Sequence, residues 1–460
     1  MSSPRFTGAV SKYPARFALA AYLSLIVVGA LVLMLPISHA DPARPFSPLE
    51  ATFTSTSAVC VTGLSVRSIG QDLSRFGQGV LLVLIQLGGI GIITFTTLLS
   101  FGDQKLGGVR QRLAISEALG SRPDDDARWV VRTVIGSVLL IEGLGWLLLF
   151  MRNSVDMPTG DAAWHALFHS VSAYCNAGFG LYDDSLMRYR SDVLVNLTIC
   201  TLIIVGGIGF PVMLDVYRGI RDRRRNWHED LSVHSRLVLR GTLGLLIIGT
   251  AAFLFLERHN TLEGVPWPER LLAAFFHSTT CRTAGFNTVD IAGLTNAMLF
   301  VSILLMMIGA SPCSAGGGFK VSSMMVLGLL SRDKLQGYNS VQFARRTLSE
   351  ELIDRAISAV LLFTLIVGVG LTALLAIEQT GIPHSDSKGL FLDAMFEVVS
   401  ALGTVGLSTG LTGELGDGGR WLLIVLMLIG RLGPISLFVA VSRIRRDQRL
   451  AYAKEDVLIG

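Results

Sequence analysis

Residues Ala51–Leu64, ATFTSTSAVCVTGL, decide the fold of this chain, because three degraded copies of the stretch follow it. Ala166–Phe179 reads ALFHSVSAYCNAGF, Ala273–Phe286 reads AAFFHSTTCRTAGF, and Ala394–Leu407 reads AMFEVVSALGTVGL. Aligned on Gly63, Gly178, Gly285 and Gly406, the copies share an alanine twelve residues earlier and a phenylalanine ten earlier (Phe53, Phe168, Phe275, Phe396). A hydroxyl stands six residues before each glycine (Ser57, Ser172, Thr279, Ser400), and a large apolar residue follows it (Leu64, Phe179, Phe286, Leu407). Successive glycines are 115, 107 and 121 residues apart. A fourfold repeat of that period in an apolar chain predicts four like units around one axis.

The surroundings of the repeat are apolar. Of 460 residues, 51% are hydrophobic and only 16% charged, with a mean hydropathy of +0.55. Soluble domains carry about 25% charged residues, so the composition predicts an all-α polytopic membrane protein. A bilayer core of about 30 Å needs about 20 apolar residues per helix. Eight stretches qualify: 17–37, 76–101, 127–151, 193–216, 237–257, 294–331, 351–377 and 419–443. One copy of the repeat lies between the members of each successive pair. Its first half, Pro48–Ser57 in the first copy, is only ten residues long and too short to span. Each unit therefore reads as helix, short half-helix, extended turn, helix. The expected units are 1–105, 106–220, 221–340 and 341–445, with a tail at 446–460.

Arginine placement gives the orientation. Tyr217–Arg236 holds Arg218, Arg221, Arg223, Arg224, Arg225 and Arg236; Arg332, Lys334, Arg345 and Arg346 follow the sixth span. The tail adds Arg443, Arg445, Arg446, Arg449 and Lys454. With eight spans, all these segments share one side with the N-terminus and the 102–126 loop, and the positive-inside rule makes that side cytoplasmic. The protein is then a multi-pass protein of the plasma (inner) membrane with both termini in the cytoplasm and lipid around it. Short juxtamembrane loops are poorly placed for nucleic acid, so no nucleic-acid partner is expected. Arg5, Lys12 and Arg16 precede a segment long enough to span, which is expected to remain as the first helix. The five cysteines show neither CxxC nor His-rich spacing and read as small buried residues.

A half-helix aims its negative carbonyl end inward, where it favours a cation. Irregular backbone at membrane depth must be buried in protein or line a water-filled cavity. The residues after each half-helix are Cys60-Val61-Thr62-Gly63, Cys175-Asn176-Ala177-Gly178, Arg282-Thr283-Ala284-Gly285 and Gly403-Thr404-Val405-Gly406. They can extend and turn carbonyls toward the axis, and a ring of such carbonyls replaces the water shell of a potassium ion. A glycine kink in a helix hairpin would explain one VTGL; four copies in register, each between two spans, point to a pore.

Two features lie below that pore. The sixth span is interrupted by Gly309, Ala310, Ser311, Pro312, Cys313, Ser314, Ala315, Gly316, Gly317 and Gly318, where proline removes a donor and three glycines disfavour helix. This stretch reads as a mobile plug, against the alternative of a passive kink. The glycines at 88–91 and 206–209 loosen the corresponding helices without so long an insertion. Arg431 stands inside the last span, where a charge is expensive and normally faces a cavity or a partner. Below a cation filter it would act as an electrostatic barrier; Glu397 or Asp393 could instead pair with it. Arg282 is expected to point behind the filter, where Glu397 could neutralise it. Glu142 reads as a helix–helix hydrogen bonder, and His169 and His277 as polar contacts at matching positions on their half-helices.

The four-unit pattern resembles the Trk/Ktr/HKT superfamily of potassium transporters over nearly the whole chain, most closely the Ktr-type membrane subunit. That resemblance implies potassium as the substrate, with sodium as a candidate activator. It implies potassium preferred over sodium because all four filter glycines are present. It also implies that the ion sites are lined by Val61 and Thr62, Asn176 and Ala177, Thr283 and Ala284, and Thr404 and Val405. The interruption at 309–318 resembles the family's gating loop, although Cys313 and Phe319 depart from its pattern, and Arg431 matches an arginine beneath the filter. A homodimer, with the tail Lys454–Gly460 near its contact, and a separate cytoplasmic ring of nucleotide-binding regulatory subunits are implied partners. The chain itself carries no nucleotide-binding pattern. The alternatives are a sodium-coupled potassium symporter or a sodium-selective transporter on the same scaffold. An intramembrane serine hydrolase built on Ser311 or Ser314 would need a histidine base, and all eight histidines lie outside the later spans. No enzymatic activity is expected.

Overall fold

The computed structural model describes residues 14–90, 127–221, 231–379, 381 and 383–433. The end of the second expected span (91–101), the 102–126 loop, residues 222–230, the first 13 residues and the tail from Pro434 onward lie outside the described residues.

The described chain is helical apart from one small hairpin. Its main elements are α1 (Pro14–Leu33), α2 (Pro48–Val59), α3 (Arg75–Ile90), α4 (Ala127–Asn153), α5 (Thr159–Tyr174), α6 (Val193–Ile208), α7 (Phe210–Arg221) and α8 (Val233–Leu256). There follow α9 (Trp267–Thr280), α10 (Asn296–Met307), α11 (Val321–Leu335), β1 (Gln342–Phe343), β2 (Arg346–Thr347), α12 (Glu350–Glu378), α13 (Leu390–Gly403) and α14 (Asp417–Leu432). Helix starts follow local chemistry. Before α2, Ser47 Oγ accepts the N–H of Glu50 (3.2 Å) while Glu50 accepts that of Ser47 (2.8 Å), and Pro48 fills the first helical position. Asp192 and Thr295 cap α6 and α10 in the same way, each accepting an N–H three residues on.

The half-helices α2, α5, α9 and α13 run to 12, 16, 14 and 14 residues. They exceed the ten read from the sequence because each runs on past the shared hydroxyl, and the later three also begin earlier. At 1.5 Å per residue they still measure only about 18–24 Å, short of a 30 Å core.

Three described helical segments are long and apolar enough to cross a membrane: Arg132–Asn153, Val233–Leu256 and Glu350–Glu378. A fourth candidate is not one straight rod. The expected span 193–216 breaks between α6 and α7 with a bend of 99°. Gly209 there takes φ +84°, Pro211 follows, and the N–H of Phe210 is satisfied by the carbonyl of Cys313 (3.2 Å). The expected span 294–331 divides as anticipated, into α10 and α11, with residues 308–320 between them. Outward faces are apolar: Leu139, Leu140 and Leu144 on α4, Leu243, Ile247 and Ile248 on α8, and Leu361, Leu365 and Val369 on α12 are all exposed.

The packing closes on itself. Each half-helix rests on the helix before it: α2 on α1, α5 on α4, α9 on α8, α13 on α12. Each also rests on the helix that follows the previous half-helix: α5 on α3, α9 on α6, α13 on α10 and α2 on α14. The last pair joins the end of the described chain to its beginning. Glycines let these helices approach. A Cβ on Gly88, Gly206 or Gly430 would lie 2.2, 1.9 or 2.0 Å from the carbonyl oxygen of Val59, Tyr174 or Leu402, each within the last turn of the half-helix in question. All three glycines serve close backbone approach, whereas for Gly88 and Gly206 the sequence suggested helix loosening.

Candidate ion pathway

The turn leaving each half-helix has the same backbone signature. Val61, Asn176, Thr283 and Thr404, each two residues before a repeat glycine, have left-handed φ of 56°, 57°, 64° and 49°. Gly63, Gly178, Gly285 and Gly406 have φ of 95°, 70°, 77° and 91°. Positive φ at a β-branched residue is costly, about 1–3 kcal/mol each, and three of the four residues are branched. In three copies the intervening residue returns an N–H to the helix end: Thr62 to the Ser57 carbonyl, Ala177 to that of Ser172 and Val405 to that of Ser400, all at 2.8 Å. The third copy differs because α9 stops at Thr280, five residues before its glycine, which leaves an extra residue in the turn, and Ala284 donates to the carbonyl of Thr280 (3.0 Å).

That extra residue also shifts the hydroxyl column. Ser57 and Ser400 accept the N–H of Gly63 and Gly406 at 3.1 Å, and Ser172 donates to the carbonyl of Phe179 at 2.8 Å. In the third copy Thr280 takes this place, donating to Phe286 (2.6 Å), whereas the aligned Thr279 bonds back to Phe275 within its own helix.

The four glycines form a closed ring. A Cβ on Gly63 would lie 2.5 Å from the Ala177 oxygen, on Gly178 2.9 Å from that of Ala284, on Gly285 2.6 Å from that of Val405, and on Gly406 2.0 Å from that of Thr62. Each glycine thus abuts the carbonyl just before the next, and the cycle returns to its start. Val61, Thr62, Asn176, Ala177, Thr283, Ala284, Thr404 and Val405 are all fully buried around it. The Asn176 amide nitrogen belongs against the carbonyls of Ile203 and Ala173 (3.2 and 3.1 Å), leaving its oxygen 3.4 Å from the Thr283 hydroxyl.

On one side the ring opens into a vestibule of ≈ 510 Å³ that has all four glycines in its floor and Arg67 and Asp183 among its walls. Arg67 is engaged by Asp72 (3.5 Å) and Glu50 (3.8 Å). Among the described residues Asp183 accepts only from the neutral Ser68 hydroxyl and Gln71 amide.

On the other side lies the 309–318 loop. A Cβ on Gly316 would strike the Thr283 hydroxyl at 2.2 Å, and one on Gly317 the Thr404 hydroxyl at 2.1 Å, so the loop packs directly against two of the turns. Ser311 and Ala315 donate N–H groups to the Gly207 and Gly206 carbonyls (3.0 and 3.2 Å). Gly309 pairs with Phe319 (2.8 Å), and Ser314 Oγ bonds to the Ser311 carbonyl (2.7 Å). Ala310 is buried, Pro312 half-buried, and Gly318 turns at φ +67°. Cys60, Cys175, Cys200 and Cys281 are buried as expected, but Cys313 is exposed on this loop at φ +57°, which corrects the reading of all five as buried.

Arg431 fastens the loop to the wall. Nη1 donates to the carbonyl of Ala315, Nη2 to that of Gly88, and Nε to Tyr22 (3.3 Å). The anticipated carboxylate partners do not meet it. Glu397 is fully buried and accepts from the Ser408 hydroxyl, the Thr412 hydroxyl (2.5 Å) and the N–H of Thr409 (3.2 Å). It neutralises neither Arg431 nor Arg282. A second cation was missed in the sequence: Lys320 Nζ donates to the carbonyls of Gly316 (2.9 Å) and Gly317 (3.4 Å). The rule that singled out Arg431, a charge inside an apolar span, would have found it.

The other polar residues resolve individually. Glu142 accepts twice from Gln86 (3.0 and 3.1 Å), a helix–helix bond as expected. His169 Nε2 accepts the N–H of Leu181 (3.4 Å), with Nδ1 against the His165 carbonyl (2.7 Å). His277 faces Ser302 (2.9 Å), so the two histidines do not occupy equivalent places.

Comparison with known proteins agrees over the whole length. Residues 15–450 match the TrkH family, described as cation transport protein. The chain is 35% identical to the Ktr system potassium uptake protein B of Vibrio alginolyticus, covering 97% of this chain and 94% of the relative. It is equally similar to the protein of that name in Bacillus subtilis, over 95% and 94%. It is 31% identical to the potassium/sodium uptake protein NtpJ of Enterococcus hirae, over 97% of both. The crystal structure of the potassium transporter TrkH from Vibrio parahaemolyticus superposes with a TM-score of 0.73 at 20% identity, over 92% of this chain and 84% of that one, a likeness of fold.

Proposed function

This chain belongs to the TrkH family of cation transport proteins, and on that premise we propose that it takes up potassium across the plasma membrane. The observation that carries the reading is the closed ring Gly63–Gly178–Gly285–Gly406, in which four turns of like backbone abut one another's carbonyls. Four half-helices direct their negative ends at this ring, and its carbonyls replace the hydration shell of a dehydrated cation. The selectivity filter is Val61, Thr62, Gly63, Asn176, Ala177, Gly178, Thr283, Ala284, Gly285, Thr404, Val405 and Gly406. Each of the four units contributes two spanning helices, which makes eight.

The loop Gly309–Gly318 is the gate. It lies against Thr283 and Thr404, and Arg431 and Lys320 hold the carbonyls of Ala315, Gly316 and Gly317, oxygens that would otherwise attract a passing cation. Opening requires those bonds to break together. The vestibule is the extracellular mouth and the termini are cytoplasmic, in keeping with the arginine bias. By resemblance to Ktr-type subunits, the protein works as a homodimer on a cytoplasmic ring of nucleotide-binding regulatory subunits, with sodium as an activator. The Enterococcus hirae relative is named for potassium and sodium, which keeps a sodium-coupled or sodium-selective reading as the alternative.

Rubidium uptake into potassium-depleted proteoliposomes tests this, comparing the native protein, Gly63→Ser and a deletion within Gly309–Gly318. Conduction by the native protein, admission of sodium by Gly63→Ser and higher flux in the deletion are the expected results. Unchanged selectivity in Gly63→Ser removes the four-turn filter.

A further inference from the structure

Arg282 is 7% exposed, yet its guanidinium makes no hydrogen bond or ion pair with any described residue, and Nε is completely enclosed. It faces a cavity of ≈ 10 Å³, room for the centre of a single water-sized sphere. The wall consists of Ile203, Ile204 and Gly207 from α6, Thr242 from α8, Thr279 from the end of α9, Arg282 itself, and Ala310 from the loop. Thr242 is also buried there, and its hydroxyl likewise has no hydrogen-bond partner among the described residues. Two unsatisfied donors, one from α8 and one from the turn after α9, therefore meet in one small chamber whose other walls are mostly apolar.

A guanidinium cannot shed its proton in a protein, and a buried charge without a partner is strongly unfavourable. A water could accept hydrogen bonds in this chamber but would leave the charge in place. A small monovalent anion does both. We propose that the cavity behind the third turn binds a halide, chloride under physiological salt, held by the Arg282 guanidinium and the Thr242 hydroxyl. The chamber as it stands is sized for one water, so the larger chloride widens it against the side chains of Ile203, Ile204 and Thr279, with Gly207 the one wall that has no side chain. The site is independent of which cation the ring passes. Its position also gives it a consequence: one wall is the residue before Thr283 and another is Ala310, so the anion contacts both the ring's support and the loop.

The test uses the full-length protein in detergent at constant potassium, exchanging gluconate for chloride. The midpoint of thermal unfolding is expected to rise saturably with chloride or bromide in the native protein. Thr242→Val, which keeps the shape, should weaken the apparent halide affinity at least several-fold, and Arg282→Gln should abolish the response. If Arg282→Gln does not fold, Thr242→Val decides alone. Bromide-soaked crystals of the native protein should show anomalous density beside Arg282. A halide response that is absent, or the same in native protein and Thr242→Val, overturns the proposal, as does density there without anomalous signal, which would mark a water.

Discussion

Glu397 Oε1 accepts the N–H of Thr409, twelve residues ahead, at 3.2 Å, and His169 Nε2 accepts that of Leu181 over the same interval at 3.4 Å. In both cases a side chain on a half-helix grips the strand leaving a ring glycine. Glu397→Ala strands three donors, two hydroxyls and one backbone N–H. At about 1–3 kcal/mol for each buried unsatisfied group, partly relieved by water, the loss should be roughly 2–4 kcal/mol, read by thermal unfolding. Potassium-over-sodium discrimination should fall with it. A variant with native stability and native discrimination would show that this grip does not matter.

Glycines at the ring and on the outer helices should respond oppositely to alanine. Gly406→Ala places a methyl 2.0 Å from the Thr62 oxygen at φ +91°, so it should cost at least about 1–3 kcal/mol and impair ion binding. Gly143, inside α4, has nothing within 4 Å of a Cβ. Gly143→Ala should stabilise by roughly 0.5–1 kcal/mol without changing flux. Paired unfolding curves check both.

Arg431 and Lys320 hold three successive carbonyls of the loop. Charge-assisted bonds of this kind contribute about 1.5–3 kcal/mol each, and 1.4 kcal/mol is a factor of ten. Arg431→Gln should therefore raise rubidium flux about tenfold or more. Lys320→Met should raise it less, because it frees no contact with Gly88 or Tyr22. Flux equal to native in both would show that these bonds do not keep the pathway closed.

Glu257, just beyond the end of α8, supplies a pH dependence. Its burial raises the carboxyl's pKa, but hydrogen bonds from Thr295, Asn260 and Thr261 outweigh that and hold it below its ordinary 4.5. A depressed carboxyl contributes stability that is fully present above the pKa of the unfolded chain and lost as pH falls through the lower folded value. Acidification below about pH 4.5 should thus loosen the link between α8 and the Thr295 cap of α10. Glu257→Gln should reduce the acid sensitivity of unfolding while lowering stability at neutral pH.

Much of this site was legible in the chain because it is repeated. The four glycines, the phenylalanines and the break after Met307 follow from composition and spacing alone. What stayed hidden depends on contacts between distant segments. Thr280 replaces Thr279 because α9 stops one residue sooner and its turn gains one, and no spacing rule reveals where a helix gives up its last bond. The bend at Gly209 needed the Cys313 carbonyl, supplied from the next unit, to accept the Phe210 N–H. Glu397 offered two electrostatic roles on paper, a pair with Arg431 or with Arg282; the local hydroxyls of Ser408 and Thr412 won because they are near in sequence and already desolvated beside it.

The ring is sealed by its two ends. Gly406 meets the carbonyl of Thr62, α14 packs on α2, and Arg431 reaches the Gly88 oxygen across 343 residues of chain. Contacts so remote carry the largest loop-closure entropy and form late. During synthesis, three of the four turns are therefore in the bilayer before the fourth exists, and no ring of carbonyls can be complete. If the ring is the filter proposed above, a nascent chain holds no finished filter until its final helix has emerged and closed the circle, so biogenesis itself withholds conduction until Arg431 is in place.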